Sequence, residues 1–593
     1  MCAAIAAGAF AQGQGQGLAG INEATSLMTS YFDPATKLCY AIGAVLMLAS
    51  CGKKLGQFSQ DYFNVNPNPL EVVGEKVPAT ITGNIPAKFF VKNAVVTVTP
   101  VLVYNGQETT SVPYTFQGEK VRGNNPVISY ENGGTVTIPA AYAYTPEMAK
   151  STLALDFVVT QGKKQYVLPR VNVANGIIAT AALADPATVN PALGKDAFQR
   201  VINEKYAADI KFLINQANIR SSELNTNAMT EFHNSLMAAN GDSTRVINEI
   251  NIQSYASPDG AYDFNERLAQ SREDNTKGYV SGRLKKDKIT EFGELTANFT
   301  AEDWEGFQKL VSQSNIQDKD LILSVLSMYK DPEEREREIR NISTVFEQLA
   351  EEILPQLRYS RITASIDVIG KSDSEINKCF DNDPSKLSIE ELLYAATLTD
   401  DNARRMSIYE TATRQYPNDY RGWNDLGLTQ YVARDYDKAK ASFERAAQLA
   451  PAGAEPKLNL GLVEMVNGNY RAANQYFGNA AGAESLGDAL GVYYLKQGDN
   501  ASAVRAFGDS KSNNAALAQI LTKDYTKAKS TLAGVNKPDA TTYYLMAVLG
   551  ARTNNEQMLT SNLRQAIKLD SSMAQRAAND LEFDAFNISG LTK

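Results

Sequence analysis

The 593-residue sequence contains one histidine, His233, two tryptophans and four cysteines, and no apolar run of the roughly 20 residues that a membrane-spanning helix needs. With a single histidine and scattered Cys2, Cys39, Cys51 and Cys379, the His and Cys sets that bind zinc are missing. So are the Ser/His and Cys/His pairs of nucleophilic catalysis. No metal and no cofactor is expected, and no local motif pairs carboxylates for acid–base work, so the composition argues against an enzyme. Basic residues are outnumbered as well. With 58 Lys+Arg against 67 Asp+Glu, the net charge of −9 lacks the footprint of a DNA or RNA binder, and no nucleic acid is expected as a partner. What is present is ordinary globular composition, 44% hydrophobic and 21% charged, in a chain too long for one core.

Leu38 to Ala49 reads LCYAIGAVLMLA, which is short for a spanning helix but suits the apolar region of a signal peptide. Leu48-Ala49-Ser50-Cys51, followed by Gly52-Lys53-Lys54, resembles a bacterial lipoprotein lipobox. The resemblance implies that Cys51 is acylated and becomes the mature N-terminus, anchoring the chain to the outer membrane. The basic Gly52-Lys53-Lys54 lacks the acidic residues of a surface-export signal, which favours the periplasmic face. Residues 1–37 do not fit a lipoprotein signal, because they carry no short basic start and have their own Ala9-Phe10-Ala11 cleavage pattern. From Ala9 to about Val45 the chain instead resembles the start of a small TraE-type membrane protein of conjugative transfer. Residues 1–50 are therefore read as a signal and processing segment, with 1–37 a fused or misassigned piece and Met28 an internal start. After cleavage Cys379 is the one unlipidated cysteine, so no intramolecular disulfide is expected.

Residues 51–190 alternate apolar and polar positions in short runs such as Ala94–Tyr104 (AVVTVTPVLVY) and Leu153–Thr160. Turn signals at Asn105-Gly106, Asn132-Gly133-Gly134 and Gln161-Gly162 separate them. One antiparallel β-sandwich is expected, serving as a spacer or docking module. Residues 191–372 alternate strand and helix in the order β-α-β-α-β-β, an α/β architecture interrupted by a helical insertion over 302–357. The insertion's run Glu333-Glu334-Arg335-Glu336-Arg337-Glu338 is expected to form a solvated helix face. His233, beside Phe232 on a predicted helix and without a partner His or Cys, is expected to be a packing residue.

Ser254–Val280, SYASPDGAYDFNERLAQSREDNTKGYV, resembles the peptidoglycan-binding C-terminal domain of the OmpA family. Gly260, Asn265, Leu268 and Arg272 fall on that family's motif positions, whereas Ala256 and Ser257 stand where it has Thr-Asp and Glu273 where it has Ala. The resemblance implies a site for the ends of meso-diaminopimelate, in which Arg272 pairs bidentately with a carboxylate. Ser257, with Asp259 as a nearby substitute, would take the acceptor role of the missing Asp. Ser257, Asp259, Asn265 and Arg272 are thus the candidate peptidoglycan-binding set. The alternative is an OmpA-like fold that keeps Arg272 only as a structural ion-pair partner.

From residue 373 to 593 a period of about 34 residues emerges. Tyr420–Gly453 carries Trp423, Leu426, Gly427, Ala439, Phe443, Ala446 and Pro451, and Leu460, Gly461, Ala473, Phe477 and Ala480 follow in the next unit. This pattern resembles the tetratricopeptide repeat and implies an all-α solenoid of about five units whose named aromatics are core and whose concave groove binds a peptide or protein. Asn424, Gln430, Asn459 and Tyr494, on the first helices of units, are the candidate groove residues. The chain is accordingly expected to be multidomain: an all-β sandwich, an OmpA-like α/β domain with a helical insertion, and an all-α repeat solenoid. Two non-catalytic functions fit. One is an outer-membrane lipoprotein that tethers peptidoglycan and scaffolds a periplasmic or outer-membrane protein partner. The other is an accessory subunit of an outer-membrane protein export or assembly machine, with the OmpA-like domain used only for docking.

Overall fold

The computed structural model describes residues 54–592 apart from 317 and 342, so the signal segment 1–50 and the lipidation expected at Cys51 lie outside the described residues. Two compact units emerge, one made of residues up to Gly194 together with Asn418–Lys593, the other of Lys195–Pro417.

The β-sandwich follows directly from the period-two pattern. A three-stranded sheet, β1 (Phe63–Asn66), β3 (Lys76–Ile85) and β8 (Gly134–Ala143), runs in the order β1-β3-β8; the short β2 (Leu70–Glu71) lies outside it. The larger sheet orders β10 (Lys164–Asn175), β9 (Ser151–Gln161), β4 (Ala94–Tyr104), β6 (Tyr114–Gly118) and β7 (Val127–Ile128), with β5 (Gln107–Thr110) also on β4. Asn105-Gly106 closes the β4–β5 hairpin, with Tyr104 opposite Gln107 and φ of 48° and 73° at the two turn residues. Phe58, Phe63, Phe90, Phe116 and Phe157 fill the centre, Phe58 stacking on Phe157 at 4.5 Å. The last strand, β11 (Ile177–Ile178), pairs in parallel with β2.

The second unit holds a four-stranded sheet ordered β12 (Val201–Lys211), β15 (Tyr359–Ile369), β13 (Arg245–Tyr255), β14 (Glu294–Thr300). Only the β13–β14 pair is parallel. Helices α1 (Asn227–Asn240) and α2 (Tyr262–Lys286) bury Met229, Phe232, Leu236, Val280 and Leu284 against Ile250, Ile252, Ile362 and Ile366 of the sheet. A register shift between Ile247 and Glu249 lets Ile247 and Ile250, three apart, both face this core. The order β-α-β-α-β-β is the one read from the sequence.

The insertion folds as α3 (Trp304–Gln313), α4 (Lys319–Met328), α5 (Pro332–Asn341) and α6 (Ser343–Gln348), with its own small core of Phe307, Val311, Ile322, Ile339 and Leu354. Its charge run is only partly a solvated face. Arg335 donates to the Tyr329 carbonyl and lies over the Trp304 ring, and Glu336, half-buried, pairs with Arg340.

Helices α7 (Asp373–Asn382), α8 (Ile389–Thr397) and α9 (Asn402–Gln415) belong to this unit rather than to the repeats, so the division falls at Pro417 and not at 372. The reason lies at the entry to β12. Phe198 stacks on Tyr394 at 4.3 Å, Arg200 pairs with Asp373, and Lys371 reaches Glu391 at 2.9 Å.

The repeats form five helical hairpins: α10 (Tyr420–Val432) with α11 (Tyr436–Leu449), α12 (Ala454–Val466) with α13 (Tyr470–Phe477), α14 (Leu486–Gln497) with α15 (Asn500–Phe507), α16 (Asn513–Leu521) with α17 (Tyr525–Ala533), and α18 (Ala540–Arg552) with α19 (Glu556–Leu569), closed by α20 (Ser572–Ala578). Three hairpins share one contact. A Cβ on Gly427, Gly461 or Gly491 would stand 2.6, 2.5 or 2.6 Å from the ring of Phe443, Phe477 or Phe507, so each glycine is where the paired helices meet most closely. This repeated packing makes the region an all-α array of stacked hairpins that resembles the repeat solenoid expected from the sequence. Trp423 is an exception to the expected aromatic core, being only half-buried.

The sandwich is not a free spacer: it packs on the array within one unit. Gly74, at φ +63°, lies so close that a Cβ would stand 2.5 Å from the Lys496 carbonyl, and the Tyr470 hydroxyl donates to Glu75. Beyond it, Leu521 packs against the sandwich core. Among the described residues no helix is long and apolar enough to cross a membrane.

Candidate functional site: the repeat groove and the motif loop

Between β11 and residue 194 the chain leaves the sandwich and runs along the array with almost no regular structure, apart from 3-10 turns at Thr180–Leu183 and Pro186–Thr188. Its backbone groups are taken up by side chains of the repeats. The Ala192 N–H donates to Asn459 Oδ1 at 2.7 Å, and the Ala192 carbonyl accepts from Asn459 Nδ2 and from Asn424 Nδ2, each at 2.9 Å. Asn459 Nδ2 also reaches Asn424 Oδ1 at 2.9 Å. Next along, the Gly194 N–H donates to Asp425 Oδ1 at 2.7 Å. At the other end Asn514 repeats the two-way grip: its Oδ1 accepts from the Asp185 N–H, and its Nδ2 donates to the Asp185 carbonyl, both at 3.0 Å, and to Thr188 Oγ1 at 2.9 Å. The Tyr431 hydroxyl donates to the Pro186 carbonyl at 3.1 Å.

Asn424 and Asn459 are completely buried, and a buried amide without partners costs on the order of 1–3 kcal/mol, so the segment supplies what these side chains require. Asp425 is buried as well, and burial pushes its carboxyl up to about 8 against the lowering pull of Asn424, the Gly194 N–H and Arg421. Of the four groove residues expected from the sequence, Asn424 and Asn459 grip a peptide, but that peptide is the chain's own. Gln430 instead accepts from Ser442 Oγ inside its own hairpin, and Tyr494 meets Tyr493 edge to face. Asp425, Tyr431 and Asn514 were not foreseen. A short polar or phenolic side chain on a helix gives no sign that its partner lies more than 200 positions away.

Of the four candidate residues in the α/β unit, Ser257 and Asp259 come together, around a partner the motif does not contain. Arg358, in the turn before β15, donates from Nε to Ser257 Oγ at 3.0 Å and from Nη2 to Asp259 Oδ2 at 2.9 Å. Ser257 in turn donates to Asp259 Oδ1 at 2.6 Å. Asn265 donates to the Gly260 carbonyl and to Glu302, the first residue of the insertion, both at 3.0 Å. Burial raises the Glu302 carboxyl above its ordinary value.

Arg272 differs from expectation. Its side chain is 1% exposed, lies over the Phe212 ring, and donates to the carbonyls of Gln216, Tyr255 and Leu213 at 3.1, 2.8 and 3.2 Å. Burial first, and the nearby Arg358 second, lower it to about 10. The guanidinium expected to meet a ligand carboxylate is engaged by the backbone on every nitrogen, and among the described residues it forms no ion pair. Asp259 is held by Arg358, and the Arg340 guanidinium of the insertion donates to the Asp259 carbonyl at 2.5 Å.

His233 has polar neighbours rather than purely apolar packing. Its Nε2 lies 2.8 Å from Arg283 Nη2 and its Nδ1 3.4 Å from Asp287, on the wall of a cavity of about 190 Å³.

Residues 1–72 match a family described as a domain of unknown function, DUF4134. No curated protein matches the sequence. Among solved structures, a tetratricopeptide repeat protein from Parabacteroides merdae is 12% identical over 35% of this chain and 91% of its own, with a TM-score of 0.28. PilF of Pseudomonas aeruginosa is 15% identical over 36% of this chain and 99% of its own, at 0.28. YrrB, a tetratricopeptide repeat protein with an unusual peptide-binding site, is 21% identical over 29% and 97%, at 0.22.

Proposed function

We propose that this chain is a lipid-anchored, non-catalytic scaffold of the bacterial envelope that assembles protein partners on its repeats and on its α/β unit. The observation that carries this reading is the groove, in which Asn459 and Asn514 hold a nearly irregular backbone by paired hydrogen bonds and Asn424 and Asp425 add one each. Of the two envelope roles, the accessory subunit of an outer-membrane export or assembly machine is favoured over a peptidoglycan tether. The engagement of Arg272 by three carbonyls and of Asp259 by Arg358 supports using the OmpA-like fold for docking. The lipobox resemblance supports an anchor at Cys51 and the periplasmic face of the outer membrane.

Crosslinking in intact cells, followed by mass spectrometry and paired with sedimentation of the purified chain on sacculi, tests the reading. A protein crosslink without sedimentation is expected. Saturable sedimentation that disappears in a folded Arg272→Ala variant would restore the peptidoglycan tether, and a mature N-terminus other than an acylated Cys51 would remove the anchor.

A further inference from the structure

We infer that segment 184–194 is a displaceable ligand held in cis, and that an irregular, small-residue peptide of a partner protein takes its place in the same groove; this rests on the scaffold reading. Three observations carry it. First, the grip reads backbone. Asn459 and Asn514 each take both the N–H and the carbonyl of one residue, Ala192 and Asp185, seven positions apart. Any segment with a turn like that at Pro186–Thr188 and non-proline residues at those two places offers the same groups.

Second, the segment contributes little apolar anchoring. Its buried apolar side chains are the small Ala184, Val189, Pro191 and Ala192, with Leu193 half-buried, whereas three hairpins of the array lock themselves with the larger Phe443, Phe477 and Phe507. Removing the segment therefore leaves the glycine–phenylalanine contacts of the array untouched, as expected of a part that opens on its own. Third, an empty groove would leave Asn459 Oδ1 and both ends of the buried Asn514 side chain without the partners the segment supplies, while Asn424 and Asp425 would keep only each other and Asn459, which favours an occupant. A tethered ligand acts at an effective concentration in the millimolar range, so a peptide in trans binds weakly until the tethered one is loosened.

The test is fluorescence anisotropy with a labelled synthetic peptide spanning residues 183–195, titrated with the full chain as wild type, Ala192→Pro and Ala192→Pro/Asn459→Ala. Proline at 192 removes the N–H that Asn459 accepts and leaves the groove side chains intact. The expected result is peptide affinity at least 10-fold higher for Ala192→Pro than for wild type, lost again when Asn459→Ala is added. Equal binding to wild type and Ala192→Pro, or binding to neither, overturns the inference. So does loss of the array's melting transition in Ala192→Pro, which would make the segment a strut of the fold. Any of these results leaves the scaffold reading standing if a protein partner still crosslinks, and a positive peptide result without a crosslinked partner fails that reading alone.

Discussion

The repeat groove and the motif loop of the α/β unit both present polar side chains that suit an outside ligand, and in both the chain satisfies them itself. They differ in what does the satisfying. In the groove it is a length of nearly irregular chain with small side chains, held through its backbone by Asn424, Asp425, Asn459 and Asn514. In the α/β unit it is the folded core: carbonyls beside the sheet hold Arg272, Arg358 holds Ser257 and Asp259, and the insertion reaches over the loop through Glu302 and Arg340. Opening the first breaks a few hydrogen bonds, whereas opening the second means unfolding part of a domain. A family motif identifies the residues of a site, but burial and competing partners decide whether it is open.

The sharpest way to break this contrast is Arg272→Ala. Three carbonyls would lose their donor in a buried place, and the chain should lose about 3 kcal/mol or more of stability in urea denaturation. A folded variant of unchanged stability would mean that the guanidinium is free for a ligand after all. Gly461→Leu comes next. Pushed into the Phe477 ring, the new side chain should cost about 1–3 kcal/mol, seen as a lowered melting temperature of the array, and an unchanged profile would count against the repeat packing.

Asn459→Ala should cost about 1–2 kcal/mol, because the Ala192 backbone and Asn424 lose a shared partner, and its more visible effect should be protease cleavage within 184–194. Resistance to cleavage equal to wild type would show that the segment is held by something else.

The smallest effect concerns pH. The folded value of Asp425, about 8, lies above the ordinary 3.8, so between these values the folded chain keeps a proton that the unfolded chain releases. Stability from this group is complete below pH 3.8 and falls as pH rises through 8. Asp425→Asn should remove that slope, leaving the variant on the order of 1 kcal/mol more stable than wild type near pH 8, a gap limited by how cheaply the Gly194 end of the segment lifts and admits water. Denaturation curves at pH 4, 6 and 8 would show a widening gap; a constant one would contradict it.

Much of the fold was legible because it rests on local periodicity. Ala94–Tyr104 is the strand its alternation describes, and the glycine–phenylalanine spacing of Gly461 and Phe477 gives a helical hairpin. The domain boundary at Pro417 was not legible, since Phe198 and Tyr394, which tie helices α7–α9 to the α/β unit, are an unremarkable pair nearly 200 positions apart. In the sites, Asn424 and Asn459 stood out as polar residues on apolar helices, but nothing in Ala184–Gly194 marks it as their ligand, because backbone recognition leaves no side-chain signature. Arg358 precedes a strand and belongs to no motif, so the residue that organises Ser257 and Asp259 was invisible until the fold brought them together.

Amide hydrogen exchange at Ala192 and Gly194 in the wild-type chain tests the central claim most directly. The account predicts that both amides are protected, because Asn459 and Asp425 accept from them, and that they exchange through an opening less costly than the one that exposes the amides of helix α12. Exchange as fast as that of a free loop would contradict the cis-filled groove, and exchange only together with α12 would contradict its being a part that can leave.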